Sequence, residues 1–146
     1  MAISKYKSET FLNEDGSVIG TAGNFKIAID HKAMHDLDHE LSGMSPVEAW
    51  INSLAACHLM TIKLLAKAKR IALKNAKIVI AAEADTEPSD DYYGIKKLEI
   101  HYYIQAENTN DEISDFIKYT QERCALHATI ETLTKTELKY VIHIVK

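Results

Sequence analysis

The tetrapeptide Ser45-Pro46-Val47-Glu48 constrains this chain more than any other stretch. A serine hydroxyl that accepts a backbone hydrogen bond, a proline whose fixed φ suits the first helical position, and a glutamate that reaches back to the serine amide together mark a helix start. The spacing predicts a helix from here to about Ile71, with Trp50, Leu54, Cys57, Thr61 and Leu64 or Leu65 recurring every three or four residues along one apolar face. That face turns Cys57 inward, beside the small residues Ala55 and Ala56. The apolar stretch from Val47 to Met60 is interrupted by Glu48, Asn52, Ser53 and His58, so it reads as a buried core helix and not as a membrane span. Lys63, Lys67, Lys69 and Arg70 gather in the last turns, where positive charge complements the carboxyl end of the helix dipole.

Around this helix the pattern is that of strands. Before it, Asn13-Glu14-Asp15-Gly16 is a turn signal, and Phe25, Ile27 and Ile29 alternate with polar or small residues, which fits a hairpin or three-stranded meander. Residues His31 to Met44 are polar and acidic without apolar periodicity and read as a loop. After it, Ile78, Ile80, Ala82 and Ala84 alternate, then Leu98, Ile100, Tyr102 and Ile104, across the turn-rich Glu87-Pro88-Ser89-Asp90-Asp91. Asp111 and Glu112 open a second helix with Ile113, Phe116, Ile117, Thr120 and Cys124 on one face, and Leu138, Tyr140, Ile142 and Ile144 alternate in a closing strand. The order is that of an α+β fold in a single domain over 1–146: N-terminal strands, long buried central helix, two strands, second helix, C-terminal strand.

A net charge of -4 with no basic run argues against nucleic acid as a partner. The first residues lack the apolar core of a signal peptide, so a cytoplasmic protein is expected. In that reducing compartment two cysteines are poor candidates for a structural staple and good ones for chemistry, although two plain core thiols would look the same by composition. A peroxidatic thiol needs its thiolate, and a nearby second thiol converts the sulfenic acid to a disulfide before further oxidation. Two inward-facing cysteines meet the second need if their helices meet.

Ser45-Pro46-Val47-Glu48 followed by Leu54-Ala55-Ala56-Cys57 resembles the central helix of the OsmC/Ohr family, the osmotically inducible protein C and organic hydroperoxide resistance group. Asp91-Tyr92-Tyr93-Gly94, the alternating strand to Ile104, and Arg123-Cys124-Ala125-Leu126-His127 resemble its second half. The resemblance implies an intertwined homodimer and a peroxidase that reduces organic hydroperoxides to alcohols, with Cys57 attacking and Cys124 resolving the sulfenic acid as a disulfide. It also implies a glutamate near the start of the central helix, a place that Glu48 takes one residue nearer the cysteine than usual, and an upstream arginine. No arginine precedes Arg70, so Lys32, His35 and His39 are the candidates for the cation that activates thiol and substrate. The reductant implied is a dithiol, such as dihydrolipoamide, or a small thiol; no cofactor is expected.

Two other readings use the same residues. Cys57-His58 and Cys124-x-x-His127 supply a zinc-like ligand set, but adjacent helical residues point about 100° apart. His31, His35 and His39 would make a metal face only if their loop were helical, so no metal is expected. Alternatively the fold serves as a non-catalytic binding protein for a small hydrophobic ligand, with Trp50, Tyr92, Tyr93, Tyr102 and Tyr103 around the pocket.

Overall fold

The computed structural model describes residues 3–132, 139 and 143. The chain divides into two compact units, Met1–Asn52 and Ser53–Lys146, and the boundary falls inside the long helix.

In the first unit, β1 (Glu9–Leu12), β2 (Val18–Ala22) and β3 (Phe25–Ile29) form an antiparallel meander in the order β1-β2-β3. The β1–β2 turn is closed by Asn13 N donating to Ser17 O at 2.9 Å, and it requires a glycine because Gly16 sits at a φ of 89°. Past β3, Asp30 N donates to Met44 O at 3.0 Å, tying the two ends of the intervening loop together. The loop is as irregular as its composition predicts, with one short 3-10 turn over Lys32–Met34. Asp30 is buried beneath it, and the Ser42 amide above all, against the opposing effect of burial, holds its carboxyl well below the usual carboxylate range.

Helix α1 (Pro46–Ala66) begins as the tetrapeptide requires: Glu48 Oε2 accepts from Ser45 N at 2.8 Å and Ser45 Oγ accepts from Glu48 N at 3.3 Å. The helix ends five residues before Ile71. Arg70 takes a left-handed φ of 56°, while Ile71 N donates to Ala66 O and Arg70 N to Lys67 O, which is a Schellman closure with arginine where glycine is usual. Ala66 and Ile71, brought together by that turn, are both core residues. By length and composition α1 is apolar enough to cross a membrane; within the protein it buries Leu54, His58, Ile62 and Ala66.

That buried line is one correction to the sequence reading. Burial follows a four-residue step through Leu54, His58, Ile62 and Ala66; Leu64 is off this line and exposed, Trp50 is exposed one step before it begins, and Cys57 stands half-buried at its edge. In the second unit α1 packs with β4 (Leu73–Ala84), β5 (Ile95–Ala106) and α2 (Asn110–Gln121) around Ile62, Ala66, Ile71, Phe116 and Ile117. β4 and β5 are antiparallel, and Ile78, Ile80, Leu98, Ile100, Tyr102 and Ile104 lie on the more buried side, as their alternation predicts. Thr109 and Glu112 form a second capping box at the start of α2.

The second correction concerns Cys124, which is not in α2. The chain breaks after Gln121 and restarts as a third helix, α3 (Ala125–Glu131), with Cys124 as its N-cap. Glu122 and Arg123 carry the break, with the amides of Arg123 and Cys124 both donating to Thr120 O. The residues on which the closing strand is expected, Leu138, Tyr140, Ile142 and Ile144, lie outside the described residues.

Candidate active site

The corner between α2 and α3 brings Cys124 to α1. Its Sγ lies 3.0 Å from Cys57 Sγ, both cysteines being free thiols, with the Cys124 S–H directed at the Cys57 sulfur. The pair is unequal. Cys124 is fully buried; this burial first, and then its hydrogen bond to Cys57, pushes the Cys124 thiol up to about 11, while the amides of His127 and Leu126 at the start of α3 pull the other way. Cys124 therefore keeps its proton, and Cys57, the more accessible sulfur, is the acceptor.

Beside them lies a polar chain inside the core. Gln121 Nε2 donates to the Tyr102 hydroxyl oxygen at 3.2 Å, and that hydroxyl lies 3.0 Å from His58 Nδ1. His58 is fully buried, and burial above all, followed by the charge of His127, lowers it to about 4, with Glu131 opposing. A neutral imidazole that accepts the tyrosine proton at Nδ1 carries its own hydrogen on Nε2. That buried Nε2 finds no hydrogen-bond partner among the described residues. The His127 ring stands 4.6 Å from His58, centroid to centroid, and His127 Nε2 lies 3.0 Å from Glu131 Oε1 at the surface. Burial likewise raises the Tyr102 hydroxyl, with Gln121 opposing, so the phenol is a neutral donor too.

A cleft of about 500 Å³ opens next to this chain, its wall part apolar (Ile104, Ile113, Ile117) and part polar (Tyr102, Gln121, with Asn110, Ser114 and Lys118). Of the aromatic residues expected around a ligand pocket, Tyr102 is in that wall; Tyr92, Tyr93 and Tyr103 are largely exposed. Arg123, next to Cys124, is turned to other work: its guanidinium stacks 3.5 Å over the Tyr119 ring and pairs with Glu122.

The remaining candidates belong to the first unit. Glu48 is engaged in the capping box, where the Ser45 amide and hydroxyl hold its carboxyl below the usual range. Lys32 is exposed in the 3-10 turn, His35 Nε2 lies 2.6 Å from Asp30 Oδ1, and the His35 and His39 rings are stacked. Sequence reasoning brought together the two cysteines but missed the Gln121–Tyr102–His58 chain. The signal for it was the four-residue repeat through His58, which competes with a three-and-four repeat through Cys57 one position away.

Residues 38–139 match the family of OsmC-like proteins. A hydroperoxide reductase of Mycoplasma genitalium is 33% identical over 141 residues, covering 97% of both chains. A hydroperoxide reductase of Mycoplasma pneumoniae is 30% identical, again covering 97% of both. The crystal structure of an OsmC-like protein from Mycoplasma pneumoniae superposes with a TM-score of 0.81 at 31% identity, covering 90% of each chain.

Proposed function

This chain belongs to the OsmC-like protein family, and from that premise we propose that it is a cysteine-based peroxidase that reduces organic hydroperoxides to alcohols. The observation that carries the reading is the unequal thiol pair, Cys57 and Cys124, 3.0 Å apart.

In the first step the Cys57 thiolate attacks the terminal peroxide oxygen, the O–O bond breaks, and the leaving alkoxide takes up a proton to become the alcohol. Cys57 is left as a sulfenic acid, oxidised by two electrons. In the second step the Cys124 sulfur attacks the Cys57 sulfur, the S–O bond breaks, and hydroxide leaves as water with the proton that Cys124 held. An S–S bond of about 2.05 Å asks the sulfurs to close by roughly 1 Å. Two electrons and two protons from a dithiol or from two small thiols reset the pair. Within this reading Tyr102 and His58 are positioning residues: a neutral network beside the sulfurs lets Cys124 keep its proton until the sulfenic acid forms. A cytoplasmic setting belongs to the same reading, because the pair must be reduced to act.

A second copy of the chain is the partner we assign to its apolar surface. Met60 is 72% and Leu64 78% exposed on α1, and Leu12 74% and Phe25 82% exposed in the meander, large apolar side chains that a second copy would cover. Light scattering should give twice the chain mass.

The test of the activity is titration of free thiols after reduced protein meets cumene hydroperoxide. Both thiols should disappear together, and Cys57→Ser should abolish the loss. Persistence of both thiols at modest peroxide excess sinks the peroxidase and leaves the second reading, a binding protein for a small hydrophobic ligand, which the cleft beside Tyr102 favours. Lys32, His35 and His39 enter as the proposed activating cations; if their joint replacement by alanine leaves the peroxide rate unchanged, that assignment is wrong.

A further inference from the structure

We propose that Asp30, His35 and His39 form a binding site for a divalent transition-metal ion of borderline softness, of the class to which Zn²⁺ belongs. One ligand atom from each of the three lies within 4.8 Å of the other two. Two imidazoles and a carboxylate are a donor set for such an ion and leave a coordination position for water or a further ligand.

The site is organised from the carboxylate outward. Asp30 Oδ1 accepts from His31 N at 2.8 Å, and Oδ2 from Ser42 N at 3.0 Å and Ser42 Oγ at 3.2 Å, so the group is fixed by both ends of the loop. The Asp30 side chain has no exposed surface and that of His35 only 5%, and His35 Nε2 sits 2.6 Å from Asp30 Oδ1. These bonds by themselves explain a loop clamp. They do not explain His39, an exposed residue whose ring lies parallel to His35, 14° from coplanar, at 3.7 Å between centroids. The stack holds the His39 ring beside His35, so that a ring nitrogen of each lies within 4.8 Å of the other and of an Asp30 oxygen.

The surroundings suit a cation. Asp15 and Asp36 line the same cleft of about 480 Å³ as His35 and His39, and Asp15 is near enough for its charge to be felt by His35. His31, the third member of the sequence triplet, is not part of the site, since its Nδ1 accepts from Ala33 N at 3.1 Å and caps the 3-10 turn. With metal–ligand bonds of about 2.0–2.2 Å, tetrahedral donors stand roughly 3.3 Å apart. The contraction this asks for falls on His39, the exposed member. The ion takes the place of the proton between His35 and Asp30: bonds form from the metal to Nε2 and Oδ1, and the displaced proton goes to His35 Nδ1 or to solvent.

The experiment uses the full chain without a histidine tag, with Cys57→Ser and Cys124→Ser combined so that thiolates cannot be the ligands. Equilibrium dialysis against Zn²⁺ should retain one ion per chain, and Co²⁺ should give visible ligand-field bands without sulfur charge-transfer absorption. His39→Ala, at an exposed position, should weaken retention at least tenfold with an unchanged far-UV spectrum, and Asp30→Asn should do the same. The proposal is overturned by no retention, by retention that His39→Ala leaves intact, or by retention in the natural sequence that disappears with the two cysteines. Thiol titration tests the peroxidase reading separately, and only its assignment of His35 and His39 as activating cations shares residues with this site.

Discussion

The molecule holds two pairs of neighbouring histidines in opposite ways. His58 and His127 stand 4.6 Å apart around a fully buried nitrogen whose partner is a phenol, whereas His35 and His39 stand 3.7 Å apart at a loop surface against a buried carboxylate. A buried imidazole with a neutral partner is denied a charge and becomes a fixed hydrogen-bond acceptor for that partner. One that faces a carboxylate has a place for positive charge built in front of it. The same residue type thus serves a dry thiol site in one unit and a cation-attracting loop in the other, and the partner rather than the histidine decides which.

The sharpest way to break the comparison is to remove a sulfur. Cys57→Ser should lower hydroperoxide turnover by orders of magnitude, while Cys124→Ser should still consume one equivalent and then accumulate sulfinic acid, read by mass spectrometry. Equal loss of the first reaction in both variants would deny the inequality of the pair. Next in size, Ile62→Ala, at a fully buried position four residues after His58, should cost about 2–5 kcal/mol in urea denaturation. Tyr102→Phe should cost about 1–3 kcal/mol, because it strands His58 Nδ1 and Gln121 Nε2 at once. The pH dependence of stability isolates His58 itself. Its folded value of about 4 lies below its ordinary 6.5, so the unfolded chain binds the extra proton and stability falls as pH drops from 6.5 towards 4. His58→Gln should remove about one proton from that slope. The smallest effect belongs to the first unit, where Ser45→Ala should cost about 1 kcal/mol through the lost cap.

The local signals were legible where a few adjacent residues carry the energy. Ser45 and Glu48 are sufficient to start α1, and Gly16 to close a turn, so both appear where the sequence puts them. The alternation of β4 and β5 was equally plain, because a strand with one face on a core must write a period of two. The site was half legible. The cysteines lie in readable motifs, but the break before Cys124 depends on two amides turning back to Thr120 O, and no residue in Glu122-Arg123 is a helix breaker. The Tyr102–His58 contact joins residues 44 apart in sequence, and the Asp30 clamp closes only when Ser42 returns to it, which no periodicity records.

Cys124 is at once the proposed resolving sulfur and the N-cap of a helix. Its carbonyl anchors the amide of Ala128 at 2.9 Å, so drawing its sulfur towards Cys57 pulls on the hydrogen-bond ladder of α3 at its foot. If the proposed disulfide forms, deuterium uptake in the first turn of α3 should change with it, a clock of turnover that needs no substrate analogue and no label on either thiol.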